Sequence, residues 1–262
     1  MISSRVLLSF DVEEFDLPGE YGRPIPHEEQ IEISSNGLNS VLTLLDRLGI
    51  RATFFTTAHY AQHRPDQIKS ISRFHELASH GWNHSSFTES DLAKSKNELE
   101  RISGKPVYGF RRARFGSFDR RELTLAGYIY DSSDNPIWLP GRYNNLRQRR
   151  TGHYSDGLVK IPISSSPVIH YPLFWLSFKV TPMPLFRAIS WWTLANDSYL
   201  NLFFHPWEFT DLSGFCIPSF IKRVDDTVML ARLESYLLWL QQHATFETLY
   251  EFAARIRNSS EN

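Results

Sequence analysis

The chain has 262 residues, of which 22% are charged, and its formal net charge is -1. This balance gives no general attraction for nucleic acid, and the single cysteine, Cys216, excludes an internal disulfide and a cysteine-rich metal site. No stretch reaches the ~18 apolar residues of a membrane span, and the N-terminus runs into a strand-like segment instead of a secretory leader. We therefore expect one domain over residues 1–262 in a cytoplasmic protein.

Strand-like and helix-like segments alternate along the first half of the chain. Short apolar runs predict strands, and amphipathic runs between them predict helices, the first capped by Ser34 or Ser35. The predicted strands cover residues 6–10, 52–57, 76–79, 107–110 and 128–130. The predicted helices cover residues 34–48, 65–74, 88–102 and 119–125.

The alternation is interrupted after residue 134. Residues 135–157 predict a long loop, and residues 170–192 are aromatic and apolar, typical of a core or a dimer contact. Further strands are predicted at residues 158–163, 199–204 and 245–247, and helices at 225–241 and 248–257. The long loop carries four arginines that either face solvent or meet a pyrophosphate: Arg142, Arg147, Arg149 and Arg150.

This order of elements predicts parallel strands joined by crossover helices. About seven such units in one domain predict a closed or nearly closed β/α barrel, where chemistry gathers at the C-terminal ends of the strands. We therefore expect the polar residues at five strand ends to share one site: Asp11 with Glu13, His80 with His84, Arg111, Asp131 and His205.

These residue types suit a metal-dependent hydrolase. His80 and His84 are four residues apart, so both rings can reach one ion, and imidazole suits zinc, cobalt, nickel or iron. Asp11 and Glu13 point to the same side because side chains alternate along a strand. Such a site needs one carboxylate as a metal ligand, another to take a proton from water, and a group that protonates the leaving atom.

Five segments of the chain resemble the polysaccharide deacetylases, also called the NodB-homology or carbohydrate esterase 4 family. Together they span residues 9 to 208. They read Ser9-Phe10-Asp11-Val12-Glu13-Glu14-Phe15, Ser79-His80-Gly81-Trp82-Asn83-His84-Ser85, Gly109-Phe110-Arg111-Arg112-Ala113-Arg114-Phe115-Gly116, Tyr130-Asp131-Ser132-Ser133 and Phe204-His205-Pro206-Trp207-Glu208.

The resemblance implies a distorted (β/α)7 barrel in a single domain, a divalent metal that is usually zinc, and removal of N-acetyl groups from amino sugars. It implies His80 and His84 as metal ligands. The family usually has a metal-binding Asp at the position of Val12, whereas a branch with Asp-x-Glu uses the residue after it. That branch, like the strand alternation, favours Glu13 as the third ligand, with Glu14 as the weaker candidate.

The resemblance also implies the catalytic roles. Asp11 matches the general base, Arg111 the residue that holds the base, His205 the general acid, and Asp131 the aspartate that orients the acid. Three aromatic residues within the same segments are candidate contacts to the substrate: Trp82, Phe115 and Trp207.

Besides Val12, three positions depart from the family pattern. Arg112 and Ala113 stand where the family usually has Ala-Pro, and Glu208 stands where it usually has Asp. The alternatives are a deformylase or O-deacetylase, an allantoinase-like amidohydrolase, and a degenerate sugar-binding protein without catalysis. The expected partner is an N-acetylated amino-sugar carbohydrate, with membrane contact only if that sugar is lipid-linked.

Overall fold

The first strand of the chain lies inside the sheet, between two later strands. A computed structural model of the protein describes residues 4–139, 143–224 and 226–260, and of Tyr143 the backbone alone. The predictions that concern Met1 to Ser3, Arg142 and Asp225 lie outside these residues. The strands of the described chain are β1 (Arg5–Val12), β2 (Thr53–Thr56), β3 (Glu76–Ser79), β4 (Gly109–Phe110), β5 (Tyr130–Asp131), β6 (Trp138–Leu139), β7 (Tyr143–Asn144), β8 (His153–Ser155), β9 (Leu158–Lys160), β10 (Tyr199–Phe204) and β11 (Thr245–Glu247).

Within the described residues, seven strands run parallel in the order β10-β1-β2-β3-β4-β5-β9. Strand β8 extends this sheet beside β9 in the antiparallel direction, and β11 pairs with the amino end of β1. Strands β6 and β7 form a separate antiparallel pair. The carboxyl ends of the seven parallel strands therefore meet at one end of the sheet.

Helices connect the strands and cover the outer face of the sheet. Among the described residues, no helix is both long enough and apolar enough to cross a bilayer. Two short 3₁₀ turns, Ala113–Phe115 and Pro206–Phe209, follow β4 and β10. The helices are α1 (Leu17–Glu20), α2 (His27–Leu48), α3 (Ala58–His63), α4 (Pro65–Phe74), α5 (Ser90–Ser103), α6 (Arg121–Leu125), α7 (Trp175–Val180), α8 (Met183–Asp197), α9 (Asp226–Gln241) and α10 (Leu249–Ser260).

The alternation of side chains along β1 separates the core from the site. Leu8, Phe10 and Val12 belong to the large apolar cluster under the helices, whereas Leu7 belongs to the smaller cluster inside the curled sheet. Since successive side chains point to opposite faces, Asp11 shares the inner face with Leu7. Val12, at the family's usual metal-ligand position, is therefore a core residue.

Helix α10 closes the amino end of the barrel. Its residues Leu249 and Ala253 pack into the inner apolar cluster. The Leu249 N–H donates to Oγ1 of Thr53 at 2.9 Å, and the Tyr250 N–H donates to the carboxylate of Glu76 at 3.0 Å. Both bonds satisfy amides that the first turn of a helix leaves without a partner, so the strands seat the helix that covers them.

The barrel is closed by a few hydrogen bonds in place of a regular ladder. After β9 the chain runs beside β10, where the Ser164 N–H donates to the Asn201 carbonyl at 3.0 Å and the Asn201 N–H donates to Oγ of Ser164 at 2.8 Å. The Asn201 side chain also donates to the carbonyls of Ile161 and Pro162. This geometry confirms the predicted single-domain α/β fold with a distorted, NodB-like barrel.

Several boundaries differ from the predictions. Helix α2 begins at His27, so Ser34 and Ser35 are buried within it and do not cap it. Helix α3 was not predicted at all, although Thr57 accepts the Tyr60 N–H as a regular N-cap. The predicted bounds of α4, β3, β10 and β11 are confirmed.

Candidate active site

Three side chains converge at the carboxyl end of the barrel. Oε2 of Glu13 lies 3.1 Å from Nε2 of His80 and 3.2 Å from Nε2 of His84. The three ligand atoms all lie within 4.8 Å of one another. Two neutral imidazole nitrogens and one carboxylate oxygen are a usual donor set for catalytic zinc, with positions left for water and substrate. The residues present therefore fit a divalent transition metal.

Two further residues hold these ligands in place. Nδ1 of His84 lies 2.8 Å from Oδ1 of Asp16, an arrangement that fixes the ring and directs Nε2 toward Glu13. The indole N–H of Trp207 donates to Oε1 of Glu13 at 3.3 Å, so Oε2 of that carboxylate faces the histidines.

The charges of this cluster depend on one another. Burial acts to raise the pKa of Glu13, but His84, His205 and His80 outweigh it and hold that pKa well below its ordinary value. Burial acts to lower the pKa of His84, but Glu13 and Asp16 raise that pKa to about 9. Without an ion, His84 is therefore protonated at neutral pH, and metal binding must release a proton.

Asp11 lies beside the cluster and is bound from behind by Arg111. Nη1 of Arg111 donates to Oδ1 of Asp11 at 2.6 Å, while Oδ2 of Asp11 lies 3.9 Å from Nε2 of His80. One carboxylate oxygen is thus held by the guanidinium and the other faces the space beside the histidines. This is the arrangement expected of a base whose charge is maintained by a neighbouring cation.

Arg111 crosses the inside of the barrel. It is fully buried, and it donates to Oγ of Ser9 and Oγ of Ser132 at 3.0 and 3.1 Å. Its guanidinium carbon lies 4.0 Å from the ring centroid of Phe55, a cation–π contact of the kind that favours arginine. The predicted pairing of Arg111 with the base is present in this geometry.

His205 follows β10 and is oriented by Glu208. Nδ1 of His205 lies 3.0 Å from Oε1 of Glu208, and Nε2 faces Oε1 of Glu13 at 3.7 Å. Burial acts to lower the pKa of His205, but the carboxylates of Glu13 and Glu208 raise it above the ordinary value. Behind Glu208, the buried Lys179 ammonium lies 3.3 Å from Oε2. Glu208 therefore fills the position of the family's aspartate.

Asp131 does not contact His205 among the described residues, contrary to the predicted orienting role. Tyr130 belongs to the cluster inside the barrel, so its neighbour Asp131 points to the outer side. There Asp131 accepts from Nε of Arg120 at 2.7 Å and from the Ser133 N–H at 2.9 Å. The structure thus corrects the partner of His205 from Asp131 to Glu208.

Glu14 supports the metal ligands and is not one of the three converging side chains. Its Oε2 accepts from Oγ1 of Thr57 at 3.2 Å and from the His84 N–H at 3.3 Å. Burial raises the pKa of Glu14 to about 7. Glu13, the residue favoured by alternation, takes the ligand position instead.

A cleft of about 490 Å³ opens over these residues. Phe115 and Trp207 line it, as predicted for substrate contacts, whereas Trp82 is not among the described lining residues. Trp207 is only 4% exposed and stacks on His205 with ring centroids 4.7 Å apart, so it supports the site more than it offers a surface. An apolar wall completes the cleft, formed by Leu17, Leu139, Phe174, Trp175, Leu176 and Ile221.

The described arginines of the long loop lie away from this cleft. Arg150 is committed to the fold, because it pairs with Asp197 at 2.6 Å and donates to the Ser165 carbonyl. Arg149 lines a separate surface depression beside α10. The described residues that line the cleft do not include Arg147, Arg149 or Arg150.

Three site residues escaped the sequence reasoning: Asp16, Trp175 and Lys179. The only available signal for Asp16 was its place directly after the first motif. Trp175 packs edge-on against His205 at 5.3 Å, and Lys179 lies one helical turn further along α7. Neither lies near a motif, so only the folded chain brings them to the site.

Comparison with known proteins agrees with this geometry. Residues 5–127 match the family model described as polysaccharide deacetylase. This match covers just under half of the chain, which over that part is similar to the polysaccharide deacetylase family. Over 100 residues it is 36% identical to an uncharacterised 30.6 kDa protein of Geobacillus stearothermophilus, a match that covers 35% of this chain and 38% of that relative. The matched segment therefore spans less than half of that relative's length.

Solved structures of the polysaccharide deacetylase family share the fold. A protein of Mycobacterium smegmatis, provisionally assigned as a polysaccharide deacetylase, superposes with a TM-score of 0.70 at 18% identity, covering 99% of this chain and 92% of that one. The Puue allantoinase superposes with a TM-score of 0.64 at 16% identity, covering 95% and 89% of the two chains. At these identities the likeness concerns the fold alone.

Proposed function

We propose that the chain is a metal-dependent amidohydrolase that removes N-acetyl groups from an amino-sugar glycan or its precursor. The observation that carries this proposal is the convergence of Glu13, His80 and His84 beside a separate aspartate that is paired with a buried arginine. The match of residues 5–127 to the polysaccharide deacetylase model supports a hydrolase acting on a carbon–nitrogen bond. We further propose that residues 1–262 act as one catalytic domain.

The chain's own residues account for proton removal. A divalent ion held by Glu13, His80 and His84 would supply Lewis acidity toward water and the acyl oxygen. Asp11 takes the proton of the attacking water through Oδ2, the oxygen that Arg111 leaves free. Arg111 fixes the direction of this carboxylate, since its Nη1 holds Oδ1 at 2.6 Å.

His205 donates a proton to the leaving amine. Its Nδ1 is held by Glu208, so the protonated ring presents Nε2–H toward the cleft and can protonate the leaving amine. Burial acts to lower the pKa of His205, but Glu13 and Glu208 raise it above the ordinary value, which favours the protonated ring. A general acid in that state matches an amide, whose nitrogen must gain a proton as the bond to carbon breaks.

The test is metal dependence of acetate release from N-acetylglucosamine oligomers. Chelated protein should be inactive, and added Zn²⁺ or Co²⁺ should restore release. His80→Ala should fail to recover, whereas His153→Ala, which removes a histidine outside the site, should recover fully. Equal release by metal-free and metal-loaded protein would contradict the proposal.

Hydrolysis of a small cyclic amide is the second candidate. It is favoured by the fold shared with the Puue allantoinase and by a cleft walled on one side by apolar residues. Metal-loaded protein assayed in parallel on allantoin and on acetylated sugar oligomers separates the two candidates, because each predicts turnover of one substrate only.

A further inference from the structure

A second group of histidines lies on the outer face of the barrel. His27 is the first residue of α2, and His59 and His63 lie one turn apart on α3. The spacing of four places both α3 rings on one helix face, and α2 brings the third ring against them. The ring centroids of His27 lie 4.5 Å from His59 and 5.3 Å from His63.

The nitrogens of this group are arranged as ligands. One ligand atom from each ring lies within 4.8 Å of the other two. Nδ1 of His63 lies 2.9 Å from the His59 carbonyl, an acceptor, so Nδ1 carries the proton and Nε2 is left with its lone pair. Nε2 of His59 lies 2.8 Å from Nε2 of His27. Without an ion, one of these two nitrogens must donate a hydrogen bond to the other. With an ion between them, both could be ligands.

One carboxylate lies beside the group. Glu28 directly follows His27 along α2, and it is paired with Arg64, which also pairs with Glu32. These carboxylates are therefore occupied by a guanidinium, and the three rings are the candidate ligands.

We infer that His27, His59 and His63 form a second metal site, which binds a divalent transition ion such as Zn²⁺, Ni²⁺ or Cu²⁺. Three imidazole nitrogens suit these borderline ions. They do not suit Mg²⁺ or Ca²⁺, which take oxygen ligands. The site is independent of the proposed hydrolase activity, because it shares no ligand with Glu13, His80 and His84.

An ion at this second site would join α2 to α3 and restrain the loop that carries His80 and His84. The Ala58 N–H donates to the Gly81 carbonyl at 3.0 Å, and the His59 N–H donates to the Trp82 carbonyl at 2.8 Å. The first turn of α3 therefore holds the loop that carries His80 and His84. Fixing α3 against α2 restrains that loop from its outer side.

The test counts bound ions on the full chain. Protein stripped by a chelator is dialysed against micromolar Zn²⁺, and bound zinc is measured by mass spectrometry. Wild type and His153→Ala should hold two ions per chain, whereas His27→Ala, His63→Ala and His80→Ala should each hold one. Loss of an outer-sphere partner alone weakens metal binding ~10–100-fold, so loss of a ligand should lower the affinity of this site at least about tenfold.

A thermal readout separates binding from misfolding. Zn²⁺ should raise the Tm of His80→Ala, which keeps only the second site, and should not raise that of the His80→Ala/His63→Ala double variant. If wild type holds one ion, and His63→Ala keeps it while His80→Ala loses it, the second site is overturned and the proposed function is left intact. If His80→Ala keeps the one ion while His63→Ala loses it, the second site is supported and the proposed function is overturned.

Discussion

The barrel holds a carboxylate at each end, buried at Asp11 and partly buried at Glu76, and the partners of the two differ. At the carboxyl end, Asp11 is paired with the guanidinium of Arg111 at 2.6 Å. At the amino end, Glu76 accepts from the hydroxyls of Tyr130 and Thr53, each at 2.7 Å, and from the Tyr250 N–H. No cation is among the described partners of Glu76, and burial raises its pKa.

This difference shows how one fold assigns two roles to the same functional group. A carboxylate with a cationic partner and one free oxygen can accept a proton from a substrate. A carboxylate surrounded by hydroxyl and amide donors has its lone pairs occupied and serves to seat α10. If the cationic partner, and not burial alone, separates these two roles, substitutions at Asp11 and at Glu76 should have different effects.

The largest expected effect is on turnover. Asp11→Asn should lower kcat by about 10²–10⁴-fold, because general base catalysis contributes that much, while bound metal remains at the wild-type level. Steady-state acetate release and metal analysis on the same sample measure both quantities. Glu76→Gln is the matched control at the other end of the barrel and should retain kcat. Equal losses in the two variants would contradict the comparison.

The second effect is on stability. Arg111→Met should lower the free energy of unfolding by about 3–5 kcal/mol, because it leaves the buried Asp11 carboxylate without its cation. Urea unfolding of the single variants and of Asp11→Asn/Arg111→Met measures the coupling between the two residues. The double variant should recover part of the loss, and strict additivity would show that the pair is not coupled.

A smaller effect concerns the pH dependence of activity. Because the Glu208 carboxylate helps to raise the pKa of His205, Glu208→Gln should lower that pKa and move the alkaline limb of kcat/KM to lower pH. Glu98→Gln, which alters a carboxylate on α5 that does not line the cleft, should leave the profile in place. An unmoved alkaline limb in Glu208→Gln would exclude Glu208 as the residue that positions and charges His205.

The smallest effect concerns the pH dependence of stability. The folded-state pKa of Glu76 lies above its usual value of 4.5, so the folded protein binds this proton more tightly than the unfolded chain does. The resulting stability is fully present below about pH 4.5 and is lost as the pH rises through the folded-state pKa. Glu76→Gln should remove this decline, as urea midpoints at a series of pH values would show.

The sequence indicated the barrel and much of the site because both depend on local patterns. Alternation along β1 identified Glu13 over Val12, and the spacing of four paired His80 with His84. The same alternation, applied to Tyr130, would have placed Asp131 outside the barrel. The predicted partnership of Asp131 with His205 rests on the family resemblance alone, without support from the strand pattern.

Other features depend on contacts that no local pattern reveals. Helix α3 has six residues, too few for an apolar period, so its histidine pair was not recognised. Trp207 carries the aromatic ring expected of a sugar platform, but its indole N–H binds Glu13. Whether Trp207 contacts a sugar or instead holds Glu13 depends on how β1 and β10 are paired. A single sequence does not show that pairing.

The position of β1 has a consequence for how the chain is made. β1 is synthesised well before its two neighbours along the amino half, β10 and β11. Contacts between residues so far apart in sequence form slowly, and an unpaired apolar strand is prone to aggregation meanwhile. β1 therefore keeps an open edge until β10 and β11 have left the ribosome.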